Sequence, residues 1–119
     1  MVNRKRTVTG LLAMVGALFL AFGPSSALAG DAAAGKAVYD TNCSSCHGPE
    51  GKGDGPAGAA LNPKPASFAT SALDEAGMVK IVTEGGAAVG KSPLMVAWKG
   101  TLNEAQIANV VAHIRSLKK

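Results

Sequence analysis

The chain has 119 residues, 47% of them hydrophobic but only 4% aromatic, with 12 Lys+Arg against 8 Asp+Glu. That length holds one small domain and excludes a multidomain enzyme. The formal charge of +4 suggests a nucleic-acid binder at first sight, but Arg4, Lys5 and Arg6 supply three of those charges at the extreme N-terminus. From Gly30 onward 9 basic residues face 8 acidic ones, and the nucleic-acid reading loses its main support.

Those three cations open a secretory signal. Leu11 to Phe22 is a 12-residue apolar run interrupted by Gly16, and Ala27-Leu28-Ala29 supplies a small-residue cleavage site. At about 1.5 Å per residue such a run is too short to cross a bilayer core of about 30 Å, so residues 1–29 are expected to be a cleavable signal peptide rather than an anchor. The expected product is a domain spanning residues 30–119, exported to the periplasm without a membrane span and acting as a monomer.

This 90-residue domain is poor in core-forming side chains. Leu, Ile, Val and Phe number 16, Tyr39 and Trp98 are the other aromatics, and 17 alanines and 12 glycines fill much of the rest. Small residues bury little area against the entropy that ordering them costs. The near-zero net charge nevertheless argues against disorder. Something besides the side chains is expected to complete the core.

In chain order, a first helix is expected after Asp31, which can cap Ala32, Ala33 and Ala34, and it should run toward Tyr39 and Asp40. Between Gly48 and Ala66 nine glycines and prolines block regular structure, and a connection this long is expected to pack on something. A middle helix is expected to start near Ser71, to pass through Leu73, Met78, Val79 and Val82, and to stop at Gly85-Gly86. The last helix has the clearest signature. Asn103 stands three residues before Gln106 in a capping arrangement, and Ile107, Val110, Val111, Ile114 and Leu117 recur at helical spacing. No alternation of apolar and polar residues points to a sheet, so the expected fold class is all-α.

Cys43-Ser44-Ser45-Cys46-His47 carries the chemistry, because C-x-x-C-H attaches c-type haem: two thiols form thioethers with the vinyl groups, and the adjacent histidine ligates iron as a proximal ligand. Three other uses of these residues fit less well. A thioredoxin-like dithiol needs a βαβ setting, a structural zinc site would need Cys43, Cys46, His47 and His113 all at once, and a plain disulfide leaves His47 without a role. A sixth iron ligand must come from Met78, Met95 or His113. Met78 shares its neighbourhood with Val79 and Val82 and reads as core. His113 lies at the margin of the last helix's apolar stripe and reads as a boundary residue of a helix contact.

With that motif in place, the chain from residue 30 resembles the class I monohaem cytochromes c. Gly35 and Tyr39 stand eight and four residues before the first cysteine, as in that family. The segments Gly53-Asp54-Gly55-Pro56 and Leu61-Asn62-Pro63-Lys64-Pro65-Ala66-Ser67-Phe68 resemble the haem-wrapping loop of a bacterial branch. Met95-Val96-Ala97-Trp98-Lys99-Gly100 resembles its methionine-ligand loop. The resemblance implies a cytochrome c fold of three to five short helices wrapped by loops around one covalent haem, with Cys43 and Cys46 as thioether residues and His47 and Met95 as axial ligands. It also implies that the first and last helices cross at close range, at Gly35 against the face of Val110, Val111 and Ile114. Val96 departs from the family, where proline commonly follows the methionine, which implies a less rigid loop.

Around that centre, the carbonyl of Pro63, or of Pro65, is expected to accept the Nδ1 proton of His47. Trp98 is expected on the haem edge or in the core. Lys52, Lys64, Lys91 and Lys99 are expected to surround the exposed edge, where they would steer an acidic redox partner. The implied function is a soluble periplasmic one-electron carrier and not an enzyme, since two protein ligands leave iron no open position and no partnered nucleophile, paired carboxylates or phosphate loop occurs. The alternatives are an electron-transfer subunit of a redox complex, and a haem sensor or enzyme with a labile sixth ligand.

Overall fold

Asp31 caps the first helix as expected: its carboxylate accepts from the amides of Ala33 and Ala34, at 2.8 and 3.2 Å, and starts helix α1, Ala32–Asn42. The computed structural model describes residues 29–119, so the expected signal peptide lies outside the described residues except for Ala29. Three further α-helices follow: α2 (Ser44–His47), α3 (Glu75–Glu84) and α4 (Glu104–Leu117). Short 3-10 turns at Gly58–Ala60, Phe68–Thr70 and Gly86–Val89 punctuate the connections, and the described residues contain no strand. The all-α expectation holds.

Helices α1 and α4 cross with their backbones in contact. A Cβ on Gly35 would lie 1.8 Å from the carbonyl oxygen of Asn109, so only glycine permits this approach. The Asn109 side chain reinforces it by accepting from the amide of Asp31 at 2.8 Å. Beneath the crossing Tyr39, Val110 and Val111 are almost completely buried, and Ile107 and Ile114 extend the same stripe along α4. His113 also belongs to this contact. It is buried, with its ring tilted against Tyr39 at 5.1 Å, as a boundary residue of the helix pair should be. At the start of α4 Asn103 and Gln106 form the reciprocal capping box, with bonds of 2.9 and 3.0 Å.

Helix α3 begins later than the sequence led us to expect. Asp74, not Ser71, caps it, accepting from the amide of Gly77 at 2.8 Å. The carbonyls of Ser71 and Leu73 are instead bound from outside, by the ammonium of Lys118 at 3.0 and 3.2 Å. That clamp from the end of α4 holds residues 71–73 out of the helix. Met78 and Val82 on α3 join Leu102 and the α4 stripe in one core cluster, while Val38, Phe68, Leu73, Ile81, Met95, Trp98 and Leu117 pack on it only partly buried.

Candidate functional site

The end of α1 places the chemical motif. Cys43 closes that helix by donating its amide to the Tyr39 carbonyl at 2.8 Å, and α2 follows at once, with the amide of His47 bonded to the Cys43 carbonyl at 2.9 Å. Cys43, Cys46 and His47 thereby stand at i, i+3 and i+4 of one helical turn, which turns all three toward a common side. Gly48 ends the turn with φ at +79°. Its carbonyl accepts from the buried hydroxyl of Tyr39 at 2.6 Å, tying the residue after the histidine back to α1.

All three side chains line a cavity of about 590 Å³, together with Pro63, Pro65, Phe68, Leu73, Met78, Val82, Met95, Trp98 and Ile114. This is the hollow that the shortage of core side chains implied, and its volume lies within the usual range of about 300–1,000 Å³ for ligand pockets. Its wall is largely apolar, as the faces of a macrocycle require. Both cysteines carry free thiols. Burial, then the neighbouring Cys46, pushes the Cys43 thiol up to about 11.

His47 is held differently from the expectation. Its Nδ1 is buried and has no hydrogen-bond partner among the described residues, so neither the Pro63 nor the Pro65 carbonyl receives it. The carbonyl of Pro65 points at Gly53, lying 2.0 Å from where a Cβ there would stand. The imidazole is instead stacked on Phe68, with ring centroids 4.9 Å apart and 26° between planes. Phe68 is itself fixed by its amide, 2.8 Å from the Gly51 carbonyl, and by an edge contact with Tyr39 at 6.2 Å. Burial lowers the pKa of His47, which keeps the ring neutral. With the proton on Nδ1, a neutral ring offers the Nε2 lone pair to a metal.

Of the three candidates for the sixth ligand, Met78 and Met95 line this cavity, and His113 does not. Met78 is core on α3, as read from its neighbours, while Met95 lies partly buried in the loop between α3 and α4. Trp98 also packs on the core and faces the cavity. A second hollow of about 640 Å³, lined by Val79, Thr83, Leu102, Ile107 and their neighbours, contains no cysteine, histidine or methionine and so nothing suited to iron.

A family profile described as cytochrome c matches residues 32–118. The chain belongs to the cytochrome c family. It is 35% identical over 96 residues to cytochrome c-554(547) of Halothiobacillus neapolitanus, a match covering 76% of this chain and all of that one. Two relatives are longer oxidase subunits. The cbb3-type oxidase subunit CcoP of Azospirillum sp. (strain B510) is 34% identical over 82% of this chain, and FixP of Bradyrhizobium sp. (strain ORS 278) is 35% identical over 73%. This chain spans 32% and 28% of their lengths, respectively. Among solved structures, a chain of the reducing HAO-like protein complex Kustc0457/Kustc0458 of Kuenenia stuttgartiensis aligns with a TM-score of 0.59 at 29% identity, over 71% of this chain and 41% of that one.

As a cytochrome c, the protein carries covalently bound haem, and the residues present fit that group. A neutral buried imidazole, two free thiols on the same helical turn and a thioether all face one apolar hollow. Two features were not anticipated from sequence. Phe68 stacks on the histidine, whereas its place in the segment resembling a haem-wrapping loop gave it no particular partner. Lys118 lines the cavity from the C-terminal end of α4, and nothing local distinguished it from a surface lysine.

Proposed function

We propose that this cytochrome c is a soluble, exported one-electron carrier of the periplasm, with Cys43 and Cys46 bound to the haem through thioethers and His47 and Met95 as axial ligands of its iron. The supporting observation is the cavity that collects these four side chains from the junction of α1 and α2 and from a loop about 50 residues away. When bound, the haem supplies a site that takes one electron from a donor and passes it to an acceptor. The chain's own residues exclude water, hold the imidazole neutral and keep a soft thioether donor in place. Methionine ligation favours the reduced state relative to bis-histidine coordination. In this reading residues 1–29 are removed on export.

Charge placement supports docking on an acidic redox protein. Lys36, Lys52, Lys99 and Arg115 each pair with a carboxylate, at Asp40, Glu50, Glu84 and Glu75. Lys64, Lys91 and Lys118 line the cavity and have no carboxylate partner among the described residues. Of the four lysines expected around the haem edge, Lys64 and Lys91 thus remain as steering charges, while the Lys118 ammonium is held by the Ser71 and Leu73 carbonyls. Leu94 and Val96, 49% and 56% exposed, flank Met95 and offer an apolar contact beside those cations.

A second reading, as the electron-transfer module of a redox complex, is favoured by the CcoP and FixP relatives, in which the matching region is only part of a longer oxidase subunit. Protein exported with a haem-attachment system tests both. A pyridine haemochrome spectrum should report one covalent haem, and the reduced NMR spectrum should contain shifted signals of a ligated methionine. Rapid carbon monoxide binding without those signals would refute the Met95 assignment. Purification with a partner at fixed stoichiometry would replace the free carrier with the subunit.

A further inference from the structure

We propose that Gly86 is a positioning residue for the sixth iron ligand, setting the main chain of Met95 from the end of α3. The proposal rests on the reading of Met95 as that ligand.

A methionine side chain has three rotatable bonds and little directional preference of its own, so its sulfur is only as well placed as its backbone. In this chain residue 96 is a valine with more than half its surface exposed, which anchors the loop poorly on the C-terminal side of Met95. The loop is fixed from elsewhere. The amide of Gly86 donates to the Met95 carbonyl at 2.8 Å, while the Gly86 carbonyl accepts from the amide of Lys91 at 2.9 Å. One buried residue thereby holds both the entry to the loop and the ligand's own peptide unit.

The approach requires glycine. A Cβ at position 86 would stand 2.0 Å from the Ser92 carbonyl oxygen and 3.2 Å from the Cβ of Met95. The first contact is with backbone, which cannot swing aside as a side chain would, so the Ser92–Met95 segment must move outward. On its far side the loop is bound back to α3 itself, by the amide of Trp98 to the Val82 carbonyl at 2.9 Å. Met95 thus lies on a closed strap tied at one end to Gly86, two residues past α3, and at the other to Val82 in the last turn of α3, and Gly86 is the tie that touches the ligand residue itself. Partners that orient a metal ligand typically change metal affinity by about 10–100-fold when lost.

The test uses haem-loaded protein and the variants Gly86→Ala and Gly100→Ala, the second at a glycine where an added Cβ would meet nothing within 4 Å. Three readouts apply: helicity by circular dichroism, methionine signals in the reduced NMR spectrum, and imidazole affinity of the ferric protein. We expect Gly86→Ala to keep its helicity, to lose or weaken the methionine signals, and to bind imidazole about tenfold more tightly, with Gly100→Ala unchanged. Gly86→Ala indistinguishable from the unaltered protein would overturn the proposal while leaving Met95 as the ligand. Absence of methionine signals in the unaltered protein would overturn the ligand reading and this proposal with it. Should Gly86→Ala not fold, amide exchange in the unaltered protein decides. When imidazole displaces Met95 the Gly86 amide should lose protection, and persistent protection would overturn the proposal.

Discussion

At the crossing of α1 and α4 backbone meets backbone, and Tyr39, Val110 and Val111 leave at most 1% of their surface to solvent. Across the molecule, Phe68, Leu73, Ile81, Met95 and Trp98 are only partly buried, and they border a hollow of about 590 Å³. The first region is finished by its own side chains, and the second is built to be finished by haem. The contrast locates the shortage of large apolar residues. It is felt at the hollow and not in the make-up of segment 61–98, which holds 9 of the domain's 16 Leu, Ile, Val and Phe residues, seven of them lining that hollow.

The largest way to break this contrast is to withhold the haem. Empty apolar volume costs about 24 cal/mol per Å³ in rigid cores. Even a fraction of that cost over such a hollow rivals the whole stability of a domain, about 5–15 kcal/mol. A haem-free Cys43→Ala/Cys46→Ala protein should therefore lose cooperative thermal melting, with any residual helicity confined to α1 and α4. Near-native helicity with a sharp melt would contradict the assignment of the deficit to the cofactor.

Next in size is the crossing itself. Gly35→Ala places a methyl 1.8 Å from a backbone oxygen, and overpacking of this kind costs about 1–3 kcal/mol or more. Denaturant titration of the haem-loaded protein should show the loss. A change below about 0.5 kcal/mol would mean that the helices slide apart freely.

Tyr39→Phe probes the link between the two regions, since the hydroxyl bonds the Gly48 carbonyl directly after His47. Losing that bond should cost about 0.5–1.5 kcal/mol, because the Gly48 carbonyl still accepts from the amide of Gly51 at 3.1 Å. It should also perturb the NMR signals of the His47 ring more than those of Val110, which packs in the same crossing.

The smallest effect concerns His113. Burial lowers its pKa, with Asp40 opposing and Lys36 adding to that shift. The folded protein therefore resists protonation at this ring more than the unfolded chain does. Stability is full above the usual imidazole value of about 6.5 and falls as the pH drops below it. His113→Phe should flatten that part of the melting-temperature profile against pH, and an unchanged slope would remove His113 from the account.

Much of this molecule was legible in the residues themselves. Asp31 and the Asn103–Gln106 pair announced two helix starts because capping is local chemistry, complete within four residues. Cys43, Cys46 and His47 announced the haem because thioether attachment requires that spacing. Gly35 was readable through the family resemblance, and its backbone contact with Asn109 gives the physical reason. The start of α3 was misplaced because Asp74 competes with Ser71 as a cap, and the deciding bonds from Lys118 come from the far end of the chain.

Short spacings along the chain were thus enough to encode a c-type haem site, an all-α domain and a core too sparse to close without its cofactor. Three-dimensional packing settled the rest: Phe68 and not a proline carbonyl faces the buried imidazole, Lys64, Lys91 and Lys118 are the cavity cations left without carboxylates, and Gly86 grips the Met95 backbone. Each of these depends on segments brought together across many residues, where a single side chain or amide has several nearby partners and packing chooses among them.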